Sequence, residues 1–301
     1  MKPLYSGCIL FLLALAVPGT AISGPTIIAG TDADNHPNPG TDFMAEAFNN
    51  LAPDVGNNNE SVVCVGCDEA FGTDALGSFN TAVDDSDISD WDRHSLTDTG
   101  DIASFFENAS STINLDQTGI VYMPSAEGEV SGGISDDQVA VVNDYAAELD
   151  NFVGGAGVPD EGGGLFAQSQ SQNFIEDGWG WLETLLPGLE THHNCFRIAA
   201  CDDNELFLTD EGKAAFPNLT DDIISNATPW HTWFTGDLGG LEPLVEGVSD
   251  TGTGERSPVV IGGDAETTFE PSPVPAPASL GLLALGMLGL LTCRRAATGN
   301  G

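Results

Sequence analysis

Positive charge is nearly missing from this chain: 7 Lys and Arg stand against 46 Asp and Glu, a formal charge of -39 over 301 residues. Lys2, Arg294 and Arg295 lie in the terminal segments, so the body has only Arg93, Arg197, Lys213 and Arg256. A field of that sign repels phosphate backbones and anionic bilayers, which excludes nucleic acid as a partner. It attracts cations, calcium among them, and it loads the compact state with self-repulsion that salt would screen. A saline habitat explains the composition as well as calcium does. Cysteine is also scarce, and no internal repeat of fixed period is present. The glycine runs are followed by no lysine of a phosphate-binding loop. Disorder, the usual consequence of such acidity, is opposed by a 41% hydrophobic content and several aromatic-rich segments.

The two apolar runs, residues 8–17 and 280–293, fall short of the roughly 20 residues that comfortably cross a bilayer. The first follows Lys2 and ends at Pro18 before the small residues Gly19, Thr20 and Ala21. Residues 1–21 therefore read as a secretory signal. Of six cysteines, Cys8 and Cys293 leave with the termini. In an exported chain the remaining four pair most economically as two local disulfides, Cys64–Cys67 and Cys195–Cys201. Zinc held by all four would need distant segments to converge, and a redox role for the Cys-x-x-Cys would need a strand-to-helix turn there.

Between residues 24 and 264, short apolar runs alternate with helical periodicity, the pattern of a mostly parallel sheet with helices on both faces. Strands are expected at 26–29, 61–65, 120–123, 205–208 and 258–261, with another short strand after Gly162-Gly163-Gly164. Helices are expected at 43–51, 179–186 and 209–216. The clearest spans 136–153, with Ser135 as N-cap and Val139, Val142, Tyr145, Ala146, Leu149, Phe152 and Val153 on one face. The polar stretches 84–100 and 248–257 read as loops, and 265–278 as a Thr/Pro/Ser-rich linker.

Three places carry candidate chemistry. Asp32, Asp34 and His36 follow the first strand, where open α/β sheets place ligands, and could hold a divalent cation, calcium first. Pro37 stands where an EF-hand needs glycine, so the loop is not of that type. Trp230-His231-Thr232-Trp233-Phe234 reads either as a core strand or as a platform for a sugar ring. His192-His193 reads as a loop.

The tail supplies a resemblance. Val274-Pro275-Ala276-Pro277-Ala278, the apolar run and Arg294-Arg295 together closely resemble the PEP-CTERM sorting signal of Gram-negative bacteria, here spanning 274–295. Ala276 replaces the usual glutamate between the prolines, and residues 296–301 follow the arginines. The resemblance implies a transmembrane sorting helix, processing by an exosortase, at least transient membrane anchoring, and a cell-surface or extracellular destination with exopolysaccharide as an associate.

The body has its own resemblance. The pieces Gly119-Ile-Val-Tyr-Met-Pro-Ser125, Gly162-Gly-Gly-Leu-Phe-Ala-Gln168, Trp179-Gly-Trp-Leu182, Ala215-Phe-Pro-Asn-Leu219 and Trp230-His231 resemble the class I glutamine amidotransferase and ThuA-like superfamily. That implies a flavodoxin-like sheet. The superfamily's enzymes carry a cysteine on a sharp strand-to-helix turn, served by a histidine and an acid. Here the corresponding turn reads Ala167-Gln168-Ser169, so no residue is assigned as catalytic. Ser169, His231 and Asp237 remain as a candidate ligand cleft. The leading expectation is a non-enzymatic exported protein, and the rival is a metal-dependent or Ser/His hydrolase.

Overall fold

The computed structural model describes residues 24–36, 38–69, 74–154, 162–169, 178–193, 205–227, 230–250 and 253–263. The signal, the linker, the sorting segment with Pro275, Pro277, Arg294 and Arg295, and the pair Cys195–Cys201 lie outside the described residues. Among the described residues no helix is long and apolar enough to cross a membrane.

The chain opens with β1 (Thr26–Ala29) and α1 (Gly40–Leu51), then β2 (Ser61–Val65), α2 (Ala75–Asp84), β3 (Asp92–Leu96) and α3 (Thr99–Phe106). Next come β4 (Ile120–Met123), α4 (Asp136–Asp144), α5 (Ala146–Val153), β5 (Gly164–Ala167) and α6 (Gly180–Leu185). The last third holds β6 (Leu189–His193), β7 (Leu206–Leu208), α7 (Asp210–Ala215), α8 (Asp221–Ala227), β8 (Thr232–Gly236), β9 (Glu242–Asp250) and β10 (Glu255–Gly263). Eight strands form one sheet in the order β3-β2-β4-β5-β1-β10-β9-β7, while β6 and β8 pair separately. Pairings from β3 to β1 are parallel. Those from β1 to β7 are antiparallel.

The parallel strands are short and, in β1, β2, β4 and β5, mostly apolar and buried at every position. That composition suits a sheet covered on both sides. Alternate residues divide accordingly. Ile27, Ala29, Val62, Cys64, Ile120, Tyr122 and Phe166 pack with α1, α2 and α8 in one core. Ile28, Val63, Val65, Val121, Met123, Leu165 and Ala167 pack with α3 to α6 and the β6–β8 ribbon in the other. The connections through α1 and α2 step toward the β3 edge over the first face. Those through α3 and through α4–α5 step away from it over the second. All four crossovers thus share one hand, as right-twisted strands demand. After β1 the chain leaves over the first face, whereas α6, the next described element after β5, lies on the second. α1 and α6 thus lie on opposite faces of the β1–β5 pair, and at such a place open α/β sheets put ligands outside the strands' carboxyl ends.

Four expectations are corrected. The stretch 84–100 contains β3 and the start of α3; in β3 only Leu96 is buried, so this edge strand carries no apolar alternation to read. The stretch 248–257 belongs largely to the paired strands β9 and β10, which reach Asp250 and resume at Glu255. The helix expected over 136–153 is two helices, because Tyr145 leaves helical geometry at φ -110° and ψ 21°. Its ring stacks on Phe106 with centroids 5.7 Å apart. His192 and His193 lie in β6, paired with Trp233 and Thr232, and not in a loop.

Candidate functional site

At the carboxyl end of β1 the backbone of Gly30 donates to the Val259 carbonyl (2.7 Å) and accepts from His231 N (2.8 Å) and Thr232 N (3.1 Å). A Cβ at residue 30 would run into the Thr232 carbonyl, so only glycine allows this approach. The contact sets the start of β8 over the end of β1, and with it His231. Thr31 forms an isolated antiparallel bridge with Trp230. A single 3-10 turn over Ala33–Asn35 then folds His36 back over Asp32, its N–H bonded to the Ala33 carbonyl.

The Asp32 carboxylate sits between two imidazoles. Its Oδ2 is 3.3 Å from Nε2 of His231 and 3.5 Å from Nε2 of His36. The Asp32 side chain is 5% exposed, that of His231 14% and that of His36 35%, so the histidines are the groups a solute reaches. Burial alone would raise the Asp32 carboxyl. The hydrogen bonds from His231 and His36, with their charges, outweigh it and hold the group below its ordinary value. The Asp32 hydrogen bond in turn raises His36 against the opposing effect of its partial burial.

Asp34 points elsewhere. Its Oδ2 accepts from Ser125 N (2.8 Å) and from the Tyr122 hydroxyl (3.2 Å), and Gln168 Nε2 donates to that hydroxyl at 2.8 Å. The Tyr122 ring belongs to the aromatic core, stacked on Phe79 with centroids 5.5 Å apart, so its hydroxyl reaches the site from a fixed base. Complete burial pushes the Asp34 carboxyl up to about 6, against the bonds from Ser125 and with help from the Asp32 charge. Ser169 N and Ser125 Oγ both donate to the Thr31 carbonyl, at 2.9 and 3.4 Å. The loop after β4 closes over Ser169, whose carbonyl accepts from Ala126 N at 2.9 Å. That loop carries Glu129, whose Oε1 accepts from Ser169 Oγ at 3.5 Å. Burial, then the Asp32 charge, raises the Glu129 carboxyl well above the ordinary carboxylate range.

No protein-family model, curated protein or solved structure matches this chain. The site is therefore defined by its own geometry.

The structure brings together Asp32, Asp34, His36, His231 and Ser169 at the carboxyl ends of β1, β4 and β5. Asp237 is exposed at the far end of β8, where its Oδ1 accepts from Gly239 N at 3.0 Å and caps a turn. It does not join the proposed cleft. The three residues after β1 do not form the cation site their spacing suggests, because the 3-10 turn sends Asp34 into Tyr122 and Ser125 while Asp32 faces the imidazoles. Among the described residues no group of three or more His, Cys, Asp or Glu side chains could hold a metal ion, so the calcium expectation gains no site. Cys64 and Cys67 are joined by a disulfide with Cα atoms 5.7 Å apart. Trp230 and Phe234 are buried in the two cores and Trp233 is partly exposed, which makes this segment core rather than platform.

Sequence reasoning missed Thr31, Tyr122, Ser125 and Glu129, and it passed over Gln168 as a turn residue. Tyr122 reads as an ordinary core aromatic, and Glu129 as one of many surface acids. Ser125 had the only available signal, since it stands just past the end of a buried strand.

Proposed function

We propose that this chain is an exported, surface-directed protein whose α/β body binds a small polar ligand in the crevice outside β1 and β5. The observation that carries the binding reading is the Asp32 carboxylate held between His231 and His36, at 3.3 and 3.5 Å, where α1 and α6 lie on opposite faces of the sheet. A buried carboxylate flanked by two reachable imidazoles offers charge, hydrogen bonds of both senses and acid–base capacity in one place. Binding without turnover is preferred, because Ser169 is fully buried with its hydroxyl toward Glu129, and no cysteine occupies that turn.

The finer fold assignment follows. Read from β2, the parallel strands take the order 2-1-3-4 with β1 in fifth place, which is the flavodoxin-like order started one strand early. A cyclic shift of this kind is compatible with an amidotransferase-like body and supports that resemblance. Export and sorting rest on the two termini, with an exosortase, the membrane and exopolysaccharide as proposed partners.

A hydrolase is the second reading, favoured by the convergence of His231, Asp32 and Ser169. One experiment separates the two. The full chain and Asp32→Asn are screened against esters, amides and glycosides for turnover, and against the same compounds for thermal stabilisation. Stabilisation lost in Asp32→Asn without turnover supports binding; turnover that vanishes in the variant supports the hydrolase. Neither effect with any compound would remove the site reading. For export, the intact mass of the mature protein is expected to lack both residues 1–21 and the tail beyond the Pro-x-Pro region. A mass that retains the tail would reduce it to a plain anchor.

A further inference from the structure

The site residues leave several oxygen atoms without a donor. Asp32 Oδ1, Asp34 Oδ1, Glu129 Oε2, Gln168 Oε1 and Thr31 Oγ1 are all buried and have no hydrogen-bond partner among the described residues. Asp34, Gln168 and Thr31 are fully buried and Asp32 is 3% exposed. A buried polar atom without a partner is costly, so five in one cluster mark a place built for something other than packing. With Asp34 ionised, Tyr122 gives its only proton to Asp34 and accepts from Gln168, so the amide nitrogen faces the hydroxyl while the carbonyl is left over.

Every one of these atoms can accept a hydrogen bond, and three belong to carboxyl groups. An anion is repelled by them. A neutral polyol would supply donors but no charge for Asp34, since His36 and His231 already face Asp32. A divalent cation finds no suitable trio of ligands among the described residues. What remains is a positive group that carries several N–H donors on one atom.

We infer that the crevice outside β1 and β5 binds a small protonated primary amine, its three N–H groups donating within the set of buried oxygens of Thr31, Asp32, Asp34 and Gln168, three of the four at a time. This rests on the ligand-site reading above and names the class of ligand. The ammonium group places one charge and three donors among acceptors already fixed by the sheet, so little ordering is needed on binding. His36 and His231, the more exposed members of the cluster, face the remainder of the ligand.

The test uses the full chain, with unfolding temperature and calorimetric titration as readouts. Methylammonium is compared with tetramethylammonium, sodium and calcium chlorides at matched ionic strength, and with a neutral polyol. Methylammonium alone is expected to stabilise and to give saturable binding. Thr31→Val keeps the side-chain shape but removes an acceptor, and is expected to weaken that binding at least tenfold. Asp32→Asn is expected to abolish it. Equal stabilisation by tetramethylammonium or sodium would overturn the inference, since screening needs no N–H group. Calcium or polyol binding that depends on Asp32, without amine binding, would overturn the amine while sparing the site. Silence from every solute would overturn both.

Discussion

Asp32 and Asp34 share one short turn yet are held with opposite protonation tendencies. Asp32 faces two imidazoles and stays below the ordinary carboxylate value; Asp34 is sealed under Tyr122 and Ser125 and rises from 3.8 to about 6. A folded-state value above the unfolded one means that the native chain holds this proton more tightly. The stabilisation is then complete below the unfolded value and is lost as pH rises through the folded one. At 1.36 kcal/mol per pH unit the loss is about 3 kcal/mol between pH about 4 and about 7. Glu129 acts in the same direction. Urea unfolding across that range should show Asp34→Asn with a curve flatter than wild type by about that amount. Parallel curves would show that Asp34 ionises like a surface carboxylate. Neither tendency was legible in the sequence, where Asp32 and Asp34 look alike. The difference comes from which neighbours the turn gives each side chain.

α4 begins with a reciprocal cap: Gln138 N donates to Ser135 Oγ at 3.4 Å, and Ser135 N donates to Gln138 Oε1 at 2.8 Å. Gln138 Nε2 also donates to the Thr97 carbonyl at 2.6 Å, tying the helix to the segment before α3. Ser135→Ala should therefore lower stability by about 1 kcal/mol, read from thermal unfolding. A change near zero would mean that Gln138 holds the terminus unaided. The cap was readable because it is local chemistry. The break at Tyr145 was not, because the apolar periodicity continues through it, while the Phe106 ring and the Glu107 carboxylate that engage Tyr145 come from another segment. β3 was hidden for a related reason. An edge strand with one buried side chain needs its partner β2, not an apolar pattern of its own.

Across the whole molecule the charge of -39 is offset by very few bases, and those described are already engaged. Arg93 pairs with Asp84 at 2.6 Å, Lys213 with Asp210 at 3.8 Å, and Arg256 lies 3.3 Å above the centre of the Phe207 ring. The remaining acids repel one another over distances that salt controls, the Debye length falling from about 10 Å at about 0.1 M to about 3 Å at about 1 M. Sodium chloride over that range should raise the urea midpoint of unfolding. An unmoved midpoint would mean that self-repulsion is not a governing term and that the acidity serves another purpose.

The sequence by itself determined the buried strands β1, β2 and β4, the α/β alternation, the cap of α4 and the cysteine pair Cys64–Cys67. Each is set by residues within a few positions of one another. It also marked Asp32, His36, His231 and Ser169 as residues able to do chemistry. Only the tertiary structure decided that these meet while Asp237 stays apart, and that Tyr122, Glu129 and Gln168 belong with them. The deciding contact is the close approach of Gly30 to His231 and Thr232, which lays the start of β8 against the end of β1. Such an approach depends on backbone geometry between distant segments and leaves no local mark in either.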